Sequence, residues 1–278
     1  MTLVPINLVM ARLATQDAVL VSVDASQGSV PREAGAWMAV FADDFAGSIG
    51  GGHLELQAID EARRRLAGAS GDAVVGYPLG PALGQCCGGV VHLRFETVGA
   101  DDTQSLVARL APRRIPVALF GGGHVGRALA IALGPLPFAL RWIDSRDEIF
   151  PASVADNVEC EHSDPVQAAV ADLVAGSHVL IMSFSHAEDL DIVAACLKRQ
   201  REHGDLPFIG LIGSKTKWST FRHRLEDRGF SRQELAQVTC PIGLPGIPGK
   251  QPEVIAASVA AQLLQLRSWE TQETPARK

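Results

Sequence analysis

The sequence predicts two α/β units in succession, the second built on a doubly wound parallel sheet. Three observations lead there. At 278 residues the chain exceeds the length at which a single hydrophobic core keeps growing. In its second half, short apolar runs alternate with helical patterns, the rhythm of parallel strands joined by crossover helices. Between the halves the polar stretch 97–114 meets Pro112 and Pro116, which marks a crossing near residue 113. The expected organisation is a small α/β domain over 1–112, a doubly wound domain over 113–270, and a frayed polar tail over 271–278.

In the first half, β-branched and aromatic runs predict strands at 19–23, 37–41 and 90–95, and apolar residues at helical spacing predict a helix over 53–66. A shorter helical pattern follows at 105–110. In the second half, strands are expected at 117–120, 139–143, 179–183 and 208–212, with helices over 164–174 and 190–199. The Gly/Pro-rich segment 240–252 then leads into a last helix over 252–266.

Composition narrows the function. Net charge is −6, and no run of Lys or Arg is interleaved with aromatic residues, so neither nucleic acid nor an anionic membrane is the expected partner. No apolar stretch approaches the length of a membrane span, and the segment Met1 to Met10 lacks the pattern of a signal peptide, so a cytoplasmic protein is expected. Five cysteines do not suggest a disulfide framework. Cys160 and Cys196 lie in apolar segments and read as small core residues.

The sharpest signal in the second half is Gly121-Gly122-Gly123-His124-Val125-Gly126, which follows an expected strand and opens a helical run. In that context Gly121 permits the tight turn, Gly123 lets backbone approach a pyrophosphate, and Gly126 lets helix pack on strand. This is a Rossmann-like arrangement. Asp144, 18 positions beyond Gly126, stands where a carboxylate can bond a ribose 2′-hydroxyl, whereas Arg146 beside it suits a 2′-phosphate. No Tyr-x-x-x-Lys pair supplies hydride-transfer chemistry, and the single tyrosine, Tyr77, lies in the first half. His186 follows an expected strand, either as a ligand contact at the carboxyl edge of the sheet or as a residue bonding loop backbone.

Three glycine-bearing segments recur in the first half: Gly28 to Gly35, Gly47 to Glu55, and Gly84 to Gly89. They read either as tight connections or as an anion cradle. The amides of Gly50, Gly51 and Gly52 at a helix start suit a phosphate, and Arg32 can add a guanidinium. Cys86 and Cys87 have no zinc-spaced companions. Flanked by Gly88 and Gly89, they read as an accessible thiol, with a buried pair as the alternative.

Taken together, Gly-Ser-x-Pro-Arg-x-x-Gly at 28–35, Gly-Ser-Ile-Gly-Gly-Gly-x-Leu-Glu at 47–55 and Gly-Gln-Cys-Cys-Gly-Gly at 84–89 resemble the xanthine dehydrogenase accessory protein family, XdhC. The resemblance extends through Gly121 to Gly126, Asp144-Ser145-Arg146, residues 208–217 and Cys240-Pro241-Ile242-Gly243-Leu244. It implies an accessory chaperone rather than an enzyme. Such a protein binds the molybdenum cofactor (molybdopterin), assists its sulfuration with a cysteine desulfurase, and inserts it into a xanthine dehydrogenase apoprotein; a homodimer is also implied. The positions inside the matching motifs are Arg32, Gly50, Gly51, Gly52, Glu55, Cys86, Cys87, Gly88 and Gly89, with Cys87 the preferred molybdenum ligand. Lys215 and Lys217 either add phosphate contacts from a turn of the second half or are solvated surface. A nucleotide held by Gly121, Gly123, Gly126, Asp144 and Arg146 is a further expectation. The alternatives are an NAD(P)-dependent oxidoreductase and a nucleotide-sensing protein.

Overall fold

The computed structural model describes residues 6–79, 89–111 and 114–272, with side chains of the last segment described as far as 266. Cys86, Cys87 and Gly88 lie outside the described residues, as does the chain beyond 272. Two compact units divide the chain, Met1–Pro112 and Arg113–Lys278.

The first unit is a five-stranded antiparallel sheet in the order β3-β2-β1-β5-β4, from β1 (Ala18–Gln27), β2 (Trp37–Val40), β3 (Phe45–Gly47), β4 (Val74–Pro78) and β5 (Val90–Val98). Alternation along β1 decides which residues face which layer. Val19, Val21 and Val23 pack with Leu54, Ala58 and Ala62 of α2 (Gly52–Leu66). Ala18 and Leu20 face α1 (Ile6–Leu13) and α3 (Thr103–Leu110), joining Leu13 and Leu106 in a second cluster. Helix α1 and strands β3 and β4 go beyond the sequence expectation. β3 has three residues, and β4 is a half-buried edge strand ending on Pro78, so neither carries a clear apolar alternation.

The second unit is a six-stranded, wholly parallel sheet in the order β11-β10-β9-β6-β7-β8. Its strands are β6 (Ile115–Phe120), β7 (Phe138–Asp144), β8 (Val158–His162), β9 (His178–Ile181), β10 (Phe208–Leu211) and β11 (Val238–Thr239). Helices α4 (His124–Leu133) and α8 (Pro252–Gln272) pack on one face through Leu129, Leu133, Val259 and Leu263. Helices α5 (His186–His203), α6 (Lys215–Asp227) and α7 (Arg232–Leu235) cover the other through Val193, Leu197, Phe221, Leu225 and Leu235. The sheet is thus doubly wound, and its strand order reverses between β6 and β9, the position where folds of this type open a crevice.

Two helical expectations change here. Segment 164–174 forms only a 3-10 turn over Val166–Val170, because Val166, Ala169 and Val170 reach the core within one turn entered from Pro165. Lys215 and Lys217 stand on the first turn of α6 instead of in a turn between elements. That helix was hidden in the sequence because only Phe221 and Leu225 on it are buried.

Candidate functional site

The loops after β1 and β3 and the residue before β5, Gly89, leave the sheet in the same direction; the rest of the Cys-Cys motif lies outside the described residues. Gln27 at the end of β1 pairs with Val90, and Gly47 at the end of β3 pairs with Met38. The described parts of these segments touch. A Cβ placed on Gly89 would lie 2.4 Å from the Gln27 carbonyl oxygen and 2.8 Å from that of Ser29, so the end of the Cys-Cys motif runs against the Gly-Ser-x-Pro-Arg loop. A Cβ on Gly50 would lie 2.7 Å from Pro31 and 3.6 Å from Arg32, so the middle motif backs onto the same loop. Glycine is required at both positions by close approach, and Gly50 also has φ +132°.

Glu55 holds the middle motif in shape. Its Oε2 accepts hydrogen bonds from Ser48 Oγ at 2.7 Å, Ile49 N at 3.1 Å and Gly51 N at 3.1 Å. The amides of Ile49 and Gly51, just ahead of α2, therefore already face an internal carboxylate. Glu55 serves as the anion of its own helix start, a role the sequence did not distinguish from direct ligand contact. Arg32 is exposed, and no described residue pairs with it. Gly51 has open space where a side chain would stand. His92 on β5 escaped the sequence reading; its Nδ1 is buried and has no hydrogen-bond partner among the described residues.

In the second unit the turn after β6 is built on glycines for measurable reasons. A Cβ on Gly121 would fall 2.0 Å from the Met182 carbonyl oxygen, and one on Gly126 would fall 1.9 Å from the Gly121 carbonyl oxygen. Gly123, the N-cap of α4, differs: nothing lies within 4 Å of its would-be Cβ. Asp144 is 1% exposed and its carboxylate is fully engaged. Oδ2 accepts from Gly122 N at 2.5 Å and Arg146 Nη2 at 2.9 Å, and Oδ1 from Arg146 N and Nε at 2.9 and 2.8 Å. Burial opposes its ionisation, yet the Arg146 guanidinium and these amides hold its carboxyl below the usual aspartate range. Arg146 in turn lies 4.6 Å from the ring of Phe184, which is 66% exposed.

Beyond β9, Asp189 repeats the pattern: Oδ1 accepts from Ser183 N and Oγ, both at 2.8 Å, and Oδ2 from Lys217 Nζ at 2.6 Å. Lys217 also donates to the Ile212 carbonyl at 2.9 Å. It is a half-buried ion-pair partner of the buried Asp189, while Lys215 is exposed and unpaired among the described residues.

The geometry can be set beside known proteins. Residues 117–263 match the model of the XdhC Rossmann domain, and residues 11–78 match the XdhC and CoxI family. The chain belongs to the XdhC family. A protein of Bacillus halodurans described as a xanthine dehydrogenase shares its fold with a TM-score of 0.76 at 20% identity, over 99% of this chain and 98% of that one. YqeB of Escherichia coli strain K12, described as uncharacterized, is 27% identical over 248 residues, 87% of this chain. This chain spans 42% of that relative's length.

The thiols of this XdhC-family chain divide clearly. Cys196 is wholly buried and its thiol is pushed up to about 12 by that burial, and burial also raises the thiols of Cys160 and Cys240. None of the three has the environment of a reactive thiolate. Among the described residues no three His, Cys, Asp or Glu side chains are grouped to hold a metal ion, and no helix is long and apolar enough to cross a membrane. His186 is the first residue of α5, with its ring set edge-on to Phe221 at 6.2 Å.

Proposed function

We propose that this chain is an accessory protein that binds the molybdenum cofactor and passes it to a xanthine dehydrogenase-type apoprotein. One observation carries the reading: Gly50 of the middle motif and Gly89, the last residue of the Cys-Cys motif, both press on the segment Gln27 to Arg32. Tight turns alone do not require segments so far apart in the chain to meet.

The cofactor is cargo, and its parts suit the donors there. Its phosphate calls for a guanidinium, which Arg32 supplies from an exposed position with no described partner. Its molybdenum accepts soft sulfur, for which Cys87, with Cys86 as neighbour, is the proposed donor. Gly51 leaves its backbone open to close approach by a ligand, and Glu55 holds the turn around it through the amides of Ile49 and Gly51. Sulfuration of the bound cofactor by a cysteine desulfurase, release to the dehydrogenase, and a homodimer as the working form complete the proposal.

The test is transfer. Cys87→Ala is expected to lower both cofactor retention and activation of apo-dehydrogenase, while Cys160→Ala and Cys196→Ala leave both intact. Equal retention and activation by Cys86→Ala, Cys87→Ala and the double variant would remove the thiol from the proposal.

A second reading concerns the parallel unit. The open space at Gly123, on a helix start at the strand-order reversal, favours a nucleotide phosphate there. Asp144 would have to give up Arg146 to meet a ribose, so Gly123 and Arg146 are the stronger contacts, while Gly121 and Gly126 shape the turn. Hydride transfer is not part of this reading. Gly123→Val is expected to abolish nucleotide binding while preserving the fold; unchanged NAD(H) binding in that variant would defeat it.

A further inference from the structure

A cleft of about 310 Å³ opens between the start of α5 and one face of α6, and none of the residues of the glycine turn after β6 lines it. Its floor is Phe221, and its walls carry His186, Ser214, Thr216, Thr220 and Arg224. Lys217 reaches its edge but is committed to Asp189.

The charges around it are unbalanced. Helix α6 carries Lys215, Lys217, Arg222 and Arg224 against Glu226 and Asp227, in a chain whose net charge is −6. Most arginines elsewhere are tied down: Arg199 to Asp205, Arg201 to Glu234, Arg228 to Asp191. Arg224, exposed at the cleft, has no ion-pair or hydrogen-bond partner among the described residues. No carboxylate lines the cleft. A guanidinium, an imidazole and hydroxyls thus converge from two helices on one space with no internal anion to answer them, unlike the glycine turns closed by Glu55 and Asp144.

We infer that this cleft binds a phosphate monoester. Arg224 pairs with the phosphate oxygens, Thr220 one turn before it on the same helix face adds a hydroxyl, and His186 bonds it from the facing wall. A tetrahedral oxyanion presents oxygens in several directions and so can use donors from both helices, whereas a planar carboxylate would satisfy one side. The volume is at the small end of ligand pockets, roughly 300 to 1,000 Å³. That leaves room for the phosphate and a compact organic group. The inference rests on the parallel unit alone and is independent of the cofactor reading.

Calorimetric titration of the full chain tests it, with inorganic phosphate, ribose 5-phosphate and ribose as separate probes. Saturable binding is expected for ribose 5-phosphate, weaker binding for inorganic phosphate, and none for ribose. Binding of inorganic phosphate as tight as that of ribose 5-phosphate would show an anion site without an ester's organic group, and would overturn the monoester assignment. Arg224→Gln should weaken ribose 5-phosphate binding at least about tenfold, as loss of a charge-assisted pair does. Arg222→Gln removes the same charge from the same helix, outside the cleft, and should leave binding unchanged. His186→Ala provides a second loss from the facing wall. Absence of saturation by ribose 5-phosphate up to about 20 mM, or equal weakening by Arg224→Gln and Arg222→Gln, would overturn the inference.

Discussion

Glu55 and Asp144 do the same work in different units, each lending a carboxylate to the backbone of a glycine-rich turn. Removing such an acceptor leaves buried donors unanswered, which costs more than the bond itself is worth. Glu55→Ala strands Ser48 Oγ and the amides of Ile49 and Gly51. It is expected to cost about 2 kcal/mol in urea unfolding, with Glu55→Gln closer to the parent. Asp144 adds a dependence on pH. Its carboxyl is held below the ordinary value of 3.8, so its contribution is fully present above that value and is lost as pH falls through the lower, folded-state value. Acid unfolding followed below about pH 4 should therefore start later in Asp144→Asn, relative to that variant's own stability at pH 7, than in the parent. Both residues were visible in the sequence by motif and spacing. Their partners were not, because whether Arg146 turns back onto Asp144 or outward to a ligand depends on side-chain geometry that spacing does not encode.

At the scale of elements, the turn between β6 and α4 separates two kinds of glycine. Gly126→Ala would drive a methyl to within 1.9 Å of the Gly121 carbonyl oxygen, so a loss of at least about 3 kcal/mol is expected for the parallel unit. Gly123→Ala meets open space at an ordinary φ of −67° and should change stability by less than about 0.5 kcal/mol. Thermal unfolding of the two variants checks the pair, and similar losses in both would contradict the account. The same packing explains which elements were legible. β6, β7, β9 and β10 are buried on both faces and read as apolar runs. β8, Val158–His162, is an edge strand with two glutamates, and α6 buries two residues, so neither leaves a strong periodic trace. The 3-10 turn at Val166–Val170 reproduces one helical turn of burial, which is why it reads as the beginning of a longer helix.

For the molecule as a whole, the parallel unit supplies a doubly wound fold with a glycine turn and an α5–α6 cleft lined by different residues, and the antiparallel unit brings Gly50 and Gly89 onto the segment Gln27 to Arg32. That meeting was not readable from the sequence, since it depends on β1 pairing with β5 and on the loop after β1 folding back against the turn after β3. What was readable was that the motifs had more glycine than turns need. If the motif end holds the cofactor, Arg32→Ala should weaken retention through the phosphate and Cys87→Ala through the metal, while Gly123→Val, in the other unit, should leave retention untouched. The most direct measurement is joint molybdenum and pterin analysis of the chain after anaerobic incubation with molybdenum cofactor and removal of unbound ligand. The account predicts stoichiometric molybdenum and pterin on the parent chain and clear loss of both on the Arg32→Ala, Cys87→Ala double variant; a parent chain that retains neither, or a double variant that retains both as fully as the parent, would contradict it.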